Sequence, residues 1–345
     1  MTGKGETLKG RAIRRIAVIG AGAVGSALGA LLHRAGQNVV LIARPAHAAA
    51  IRKEGLRVDG ETGEFIAPVE VAETLNFRPD LALLTVKTQD VVAAVKANQA
   101  FLNDVSIVTF QNGIRSDELV AGILPREQIL SAVVLMHVTY LLPGKVTVVY
   151  RGKLILGRPF GPRNSKLEDV AHILNQVVPT LVTDNIQGAH WLKLLINLNN
   201  ALPAITNFTV SQVYANAFLR NLAVGLMCEG LRVIDRADIR LESLPEVSVG
   251  LTRLINWMPS GIAGRIAAAK VRRLTTEWPL WGSTLQSVQR GRPTEIDYLN
   301  GEITELGKRY GEATPLNSRI VELVHQVERT GQFLSVEEIR QAFRQ

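Results

Sequence analysis

The sequence predicts two domains of different class, an α/β domain on a largely parallel sheet followed by an all-helical domain. Three observations carry that expectation. The short apolar run "IAVI" (16–19) leads directly into the glycine-spaced "GAGAVG" and then an amphipathic stretch. Further apolar runs of strand length follow, several ending in polar clusters. From about residue 185 the apolar positions recur instead at helical spacing. The expected domains are therefore 1–184 and 185–345, connected through "VTDNIQGAH", with residues 1–12 a mobile tail.

The first strand is followed by Gly20, Gly22 and Gly25 in GxGxxG spacing, and a helix closed by Gly36 comes next. Strand, glycine turn and helix in that order form the dinucleotide-binding signature of a Rossmann-type fold. Gly20 permits the tight turn, Gly22 lets backbone approach a pyrophosphate, and Gly25 lets helix and strand pack closely. Ala23 and Val24 complete the motif at the helix N-terminus, where backbone N–H groups face the phosphates. A purely structural glycine turn is the competing reading.

The second strand, "NVVLIA", ends at Ala43 and Arg44. A site preferring NAD usually carries Asp or Glu there, whereas an arginine makes charge-assisted hydrogen bonds to a 2′-phosphate. The expected cofactor is NADPH/NADP+, and an ordinary solvated arginine is the alternative.

The next strands, "LALLTV" (81–86) and "VSIVTF" (105–110), run into Lys87, Thr88, Gln89 and into Gln111, Asn112, Gly113. C-terminal strand ends line the ligand crevice of a parallel sheet, so both clusters are expected to face the cofactor. "SAVVLM", "VTVVY" and "GKLILGRPFG" are read as a more antiparallel edge, with His137 between them in a buried or structural role.

In the second half, "HWLKLLINLNNALPAIT" places Lys193, Asn197 and Asn200 on one helical face at about 100° per residue, with Asn199 pointing away. A lysine and two amides on an apolar helix need partners, and a ligand is one candidate. Farther on, "GRPTEIDYLNG" reads as a helix with Pro293 at its first position and Glu295 in its first turn, where a carboxylate suits the dipole. The functional reading has Glu295 reaching the cleft beside Lys193, with Ser283 offering a hydroxyl to the same ligand.

Composition excludes several classes. The net charge of +8 comes from scattered basic residues without a nucleic-acid motif, which favours an anionic substrate or cofactor over nucleic acid. One cysteine, Cys228, rules out an intramolecular disulfide; "NLAVGLMCEG" around it reads as a core helix face. The six histidines lack metal-ligand spacing. Basic residues before the first apolar run imitate a signal peptide, but its glycines belong to the turn. With no apolar run of the roughly 18–20 residues a membrane span needs, a cytoplasmic protein without a membrane partner is expected.

With these residues assembled, the chain resembles the ketopantoate reductase family (2-dehydropantoate 2-reductases) from Ile16 to about residue 328. The resemblance rests on "GAGAVG", "VKTQD", "QNGI" and the pair "KLLIN" with "GRPTEIDYLNG". It implies NADPH-dependent reduction of a 2-oxo acid to a 2-hydroxy acid, with ketopantoate to (R)-pantoate as the defining reaction. Carried over by position, Lys193 matches the general acid and Glu295 the carboxylate that binds the substrate hydroxyl, also at the cofactor side. Asn112 and Lys87 match residues near nicotinamide and substrate, and Asn197 and Ser283 match substrate contacts.

Departures from the family pattern are Ala201, where many members have asparagine and where Asn200 is the expected stand-in, and Ser287 in "TLQS". A third is the long Arg- and Trp-containing stretch between Cys228 and Ser283. They imply a reshaped pocket. The same chemistry on another 2-oxo acid and a non-catalytic NADP(H)-binding regulator stand as alternatives, and a homodimer is left open.

Overall fold

A computed structural model describes residues 13–274 and 281–344; the expected tail 1–12 and part of the Trp-containing stretch, 275–280, lie outside the described residues. Strands β1 (Ile16–Ile19), β2 (Val39–Ile42), β3 (Leu56–Gly60), β4 (Phe65–Ala67), β5 (Glu70–Ala72), β6 (Leu81–Leu84), β7 (Ser106–Thr109) and β8 (Ile129–Val134) are followed by β9 (His137–Thr139), β10 (Lys145–Tyr150), β11 (Leu154–Gly157) and β12 (Thr180–Val182). Helices α1 (Ala23–Arg34), α2 (Pro45–Glu54), α3 (Val91–Leu102), α4 (Ser116–Ala121) and α5 (Ser165–Asn175) alternate with them.

The main sheet has the order β12-β11-β8-β7-β6-β1-β2-β5. It is parallel from β5 through β8, with β11 antiparallel to β8 and β12 parallel to β11. The strands are apolar on both faces because both are covered. Ile16 and Val18 join one core with Leu28 and Leu32 of α1, while Ala17 and Ile19 join another with Val95 and Leu102 of α3. The antiparallel edge is thus real at β11, but "VTVVY" leaves the main sheet. As β10 it joins a separate sheet of order β4-β3-β10-β9. His137 lies exposed on β9 beside the Tyr150 ring, which corrects the expectation of burial: at a sheet margin one strand face meets solvent.

The second half is helical: α6 (Ile186–Asn197), α7 (Ala201–Thr206), α8 (Val210–Ala215), α9 (Ala217–Arg236), α10 (Val249–Trp257), α11 (Ser260–Leu274), α12 (Ser283–Gln289), α13 (Asn300–Tyr310), α14 (Pro315–Thr330) and α15 (Val336–Ala342). Asn185 caps α6, its side chain accepting the Gly188 N–H. The long α9 packs against α8, α11, α13 and α14. Cys228 on α9 is half-buried rather than in the core.

A buried polar network crosses this helical core. Glu229 accepts the N–H groups of Leu316 and Asn317 at the start of α14, both at 2.9 Å. Asn317 Nδ2 donates to Glu229 and to the Leu226 carbonyl, while Asn300 Nδ2 donates to Asn317 Oδ1 and the Leu198 carbonyl. Buried amides need such partners, and here they tie α9, α13 and α14 to the turn following α6.

The chain forms two compact units that do not follow a single cut. One takes residues up to Val86, Asp90–Phe110 and Asp117–Asp184; the other takes Lys87–Gln89, Gln111–Ser116 and everything from Asn185. The segments just beyond β6 and β7 therefore belong with the helices.

Candidate active site

In the α/β unit the β1–α1 turn is shaped by two crowded glycines and one open one. Gly20 has φ +104°, and a Cβ there would meet Val86 at 2.5 Å. A Cβ on Gly25 would overlap the Gly20 carbonyl and the Thr85 hydroxyl, which itself donates to Gly20 O at 2.8 Å. Gly22 differs. A Cβ there would find only the Gly20 carbonyl, 4.0 Å away. Gly22 is the N-cap of α1 and supplies no side-chain cap, so the Ala23, Val24 and Gly25 N–H groups open the helix without intrahelical acceptors. Open space over Gly22 at a helix N-terminus fits a pyrophosphate.

Arg44, the N-cap of α2, follows β2. Its Nη2 lies 3.3 Å from Asp90 Oδ2, with 64% of its side chain exposed. Such an exposed pair contributes little, and a guanidinium has five N–H donors, enough to take a phosphate as well.

In the helical unit, segments far apart in sequence meet. Lys87 Nζ donates to Ser287 Oγ at 2.6 Å and to the Pro293 carbonyl at 2.8 Å. Glu295 Oε1 accepts both the Thr88 N–H, at 3.1 Å, and the Thr88 hydroxyl, at 3.0 Å. Asn197 Nδ2 donates to Asn112 Oδ1 and Asn200 Nδ2 to Asn197 Oδ1, each at 3.3 Å. Asn199 turns elsewhere and donates to the Tyr214 hydroxyl and the Met227 sulfur.

Lys193 projects from α6 and keeps part of its surface accessible. Burial lowers its pKa from 10.5 to about 8, while the charge of Glu295 pulls the other way and favours the ammonium. One turn earlier, His190 is held neutral by burial, with the Lys193 charge adding to the effect, and its pKa falls to about 3. Hence Lys193 remains protonated at neutral pH yet sits close to its titration, which suits a group that gives up a proton.

Two expectations need correction. Glu295 is not in the first turn of an α-helix, nor does Pro293 open one; residues 292–294 are irregular, Ile296–Tyr298 form a 3-10 turn, and α13 starts only at Asn300. Tertiary partners rather than helix geometry hold the carboxylate. The helix carrying Lys193 breaks into a 3-10 turn at Leu198–Asn200 before α7, where Pro203 has no N–H to give the Asn199 carbonyl. Ser283 is exposed at the start of α12, where its carbonyl accepts the Ser287 hydroxyl at 3.1 Å, and Ser287 in turn receives Lys87. The preceding Gly282 lies near Asn200, whose Oδ1 would stand 3.5 Å from an added Cβ.

Thr88 belongs to the polar cluster expected at the cofactor, but nothing in the sequence points to Glu295 as its partner or to the Pro293 carbonyl as an acceptor. A threonine after a strand and a carbonyl before a glutamate carry no distinctive local pattern. Among the described residues, no group of three or more His, Cys, Asp or Glu could hold a metal ion.

A phosphate-ready helix N-terminus on a parallel sheet, together with a desolvated lysine near a carboxylate, defines the class as a nucleotide-dependent oxidoreductase. The family model "Ketopantoate reductase PanE/ApbA" matches residues 16–159, and its C-terminal counterpart matches 185–328. The chain belongs to the ketopantoate reductase family.

The 2-dehydropantoate 2-reductase of Pyrococcus horikoshii is 28% identical, over 92% of this chain and 98% of that protein. The Mesorhizobium japonicum enzyme of the same name is 29% identical, over 91% and 97%. Among solved structures, the PanE/ApbA family ketopantoate reductase from Ralstonia eutropha JMP134 gives a TM-score of 0.76 at 28% identity, covering 91% of this chain and 98% of that one. D-mandelate dehydrogenase, solved with NADH and anilino(oxo)acetate, gives 0.80 at 24% identity, over 92% and 99%, a likeness of fold.

Proposed function

We propose that the protein reduces 2-dehydropantoate (ketopantoate) to (R)-pantoate with NADPH, the step that serves pantothenate and coenzyme A biosynthesis. The observation that carries this reading is Lys193, lowered to about 8 by burial and biased toward its ammonium by Glu295, in a chain of this family. Gly20, Gly22, Ala23, Val24 and Gly25 would hold the pyrophosphate and Arg44 the 2′-phosphate. Bound NADPH supplies the hydride.

Lys193 Nζ donates a hydrogen bond to the ketone oxygen, stabilises the negative charge that develops there and then gives up its proton. Asn197, braced by Asn112 and Asn200, orients the substrate, since correct placement of the reacting carbon lowers the barrier. Glu295 accepts from the nascent hydroxyl, and Lys87 places a positive charge beside it for the cofactor or the substrate carboxylate. Ser283 lines the substrate side at the start of α12.

The outward apolar stripe of α10, Leu251, Leu254 and Trp257, supports assembly as a homodimer. The single cysteine supports a reducing, cytoplasmic setting. No helix among the described residues is long and apolar enough to cross a membrane. We take the scattered basic residues as serving anionic small molecules rather than nucleic acid.

Reduction of a different 2-oxo acid is the second reading, favoured by buried Ala201 and by Ser287 on Lys87. NADPH oxidation with ketopantoate, beside NADH and a panel of 2-oxo acids, separates the two. Turnover specific to NADPH and ketopantoate is expected; preference for another member of the panel would transfer the assignment to that acid.

A further inference from the structure

Glu295 sits in a segment with no regular helix of its own, so something else must fix it. Both flanks are tied to α14. On one side the Thr294 N–H donates to Glu328 Oε1 at 2.7 Å. On the other, Asp297 Oδ1 lies 2.9 Å from His325 Nε2. The remaining ring nitrogen, Nδ1, lies 2.7 Å from Glu328 Oε2. A single imidazole thus joins the two ends of the segment.

Chemistry dictates its protonation. An ionised carboxylate only accepts, so hydrogen bonds from both ring nitrogens require the imidazolium. A neutral ring would turn one lone pair toward a carboxylate.

The two arms are unequal. Glu328 is 20% exposed and also takes the Thr294 N–H, whereas Asp297 is 62% exposed. The charged groups facing the ring are Asp297 from the 3-10 turn and Glu328 from α14 itself. On the helices packed against α14, Glu302 of α13 pairs with Arg115 and Glu229 of α9 holds the α14 N-terminus, while α7 carries no titratable side chain.

We propose that protonated His325, bridging Asp297 and Glu328, is a positioning residue that keeps Glu295 on Thr88, and that loss of its proton loosens Glu295. The proposal rests on the reading that Glu295 works on the bound ligand. Burial alone would lower the His325 pKa, but hydrogen bonds to Glu328 and Asp297 and their charges outweigh it, so the value lies above 6.5. Because the folded value is the raised one, the bridge is complete below about 6.5 and is lost as pH climbs through the folded value.

The experiment follows His325 by NMR titration alongside the hydrogen-exchange protection of the Thr88 amide, which Glu295 accepts. The same pH series gives kcat/KM for ketopantoate reduction by the unaltered protein, Asp297→Asn and Glu295→Gln. Thr88 protection and kcat/KM should each fall about two- to ten-fold as His325 deprotonates, the range expected of one net hydrogen bond. Asp297→Asn should abolish that step, because its amide donates to the neutral ring while Nδ1–H stays on Glu328. Protection that stays flat while His325 titrates, or a step that survives unchanged in Asp297→Asn, overturns the proposal. If protection tracks His325 but Glu295→Gln turns over normally, the bridge stands and the role given to Glu295 falls.

Discussion

The β1–α1 turn and the cluster around Lys193 and Glu295 are built in opposite ways. The turn is made of backbone from six consecutive residues, and its shape depends on Cβ atoms that are missing. The cluster is made of side chains from segments up to about 200 residues apart, and its properties depend on burial and on each other's charge. A backbone site presents groups that no ordinary substitution removes, so it is disturbed by adding atoms. A side-chain site is disturbed by taking them away.

The sharpest test of that contrast is Lys193→Ala. It should lower kcat by about 10²- to 10⁴-fold, the usual contribution of a general acid, while NADPH affinity measured by fluorescence titration stays within a few-fold. A parallel loss of NADPH binding would erase the separation. Arg44→Ala should do the converse, weakening NADPH by about 10-fold or more, as loss of a charged hydrogen bond does, with NADH affinity and kcat nearly unchanged. Equal weakening of both cofactors would remove Arg44 from the 2′-phosphate.

A third test uses pH. Reduction needs the Lys193 ammonium, so kcat/KM should decline about ten-fold per pH unit above the Lys193 value of about 8, a continuing slope distinct from the single bounded step that His325 adds. Since Glu295 raises that value, Glu295→Gln should move the decline to lower pH. A decline that stays in place would mean the carboxylate does not act on Lys193. The smallest effect belongs to Ser287→Ala, which takes one acceptor from Lys87 and leaves the Pro293 carbonyl in place. A change of about two- to five-fold in KM, with kcat steady, is expected of one partly compensated hydrogen bond.

The same contrast explains what could be read from the chain in advance. Strand, glycine spacing and helix are contiguous, so β1, α1, the positive φ of Gly20 and the close packing at Gly25 follow from local sequence. Helical spacing likewise separated Asn199 from Asn197 and Asn200, and their hydrogen bonds do diverge.

Where local rules failed, a distant partner had replaced the local one. Pro293 followed by an acidic residue imitates a helix start, yet the Thr294 N–H goes to Glu328 and the Glu295 carboxylate to Thr88, neither of them near in sequence. His137 is exposed rather than buried because residue type does not reveal that its segment becomes a strand at a sheet margin.

The assignment of Lys87–Gln89 and Gln111–Ser116 to the helical unit has a practical consequence for protein engineering. A fragment beginning at Asn185 would lack Thr88, which gives Glu295 two donors, and Asn112, which braces Asn197. Grafting the helical half of one relative onto the nucleotide-binding half of another at a single junction would therefore mix the two parents inside the cluster. A faithful transplant needs three inserts, so specificity in this scaffold is not a detachable cassette.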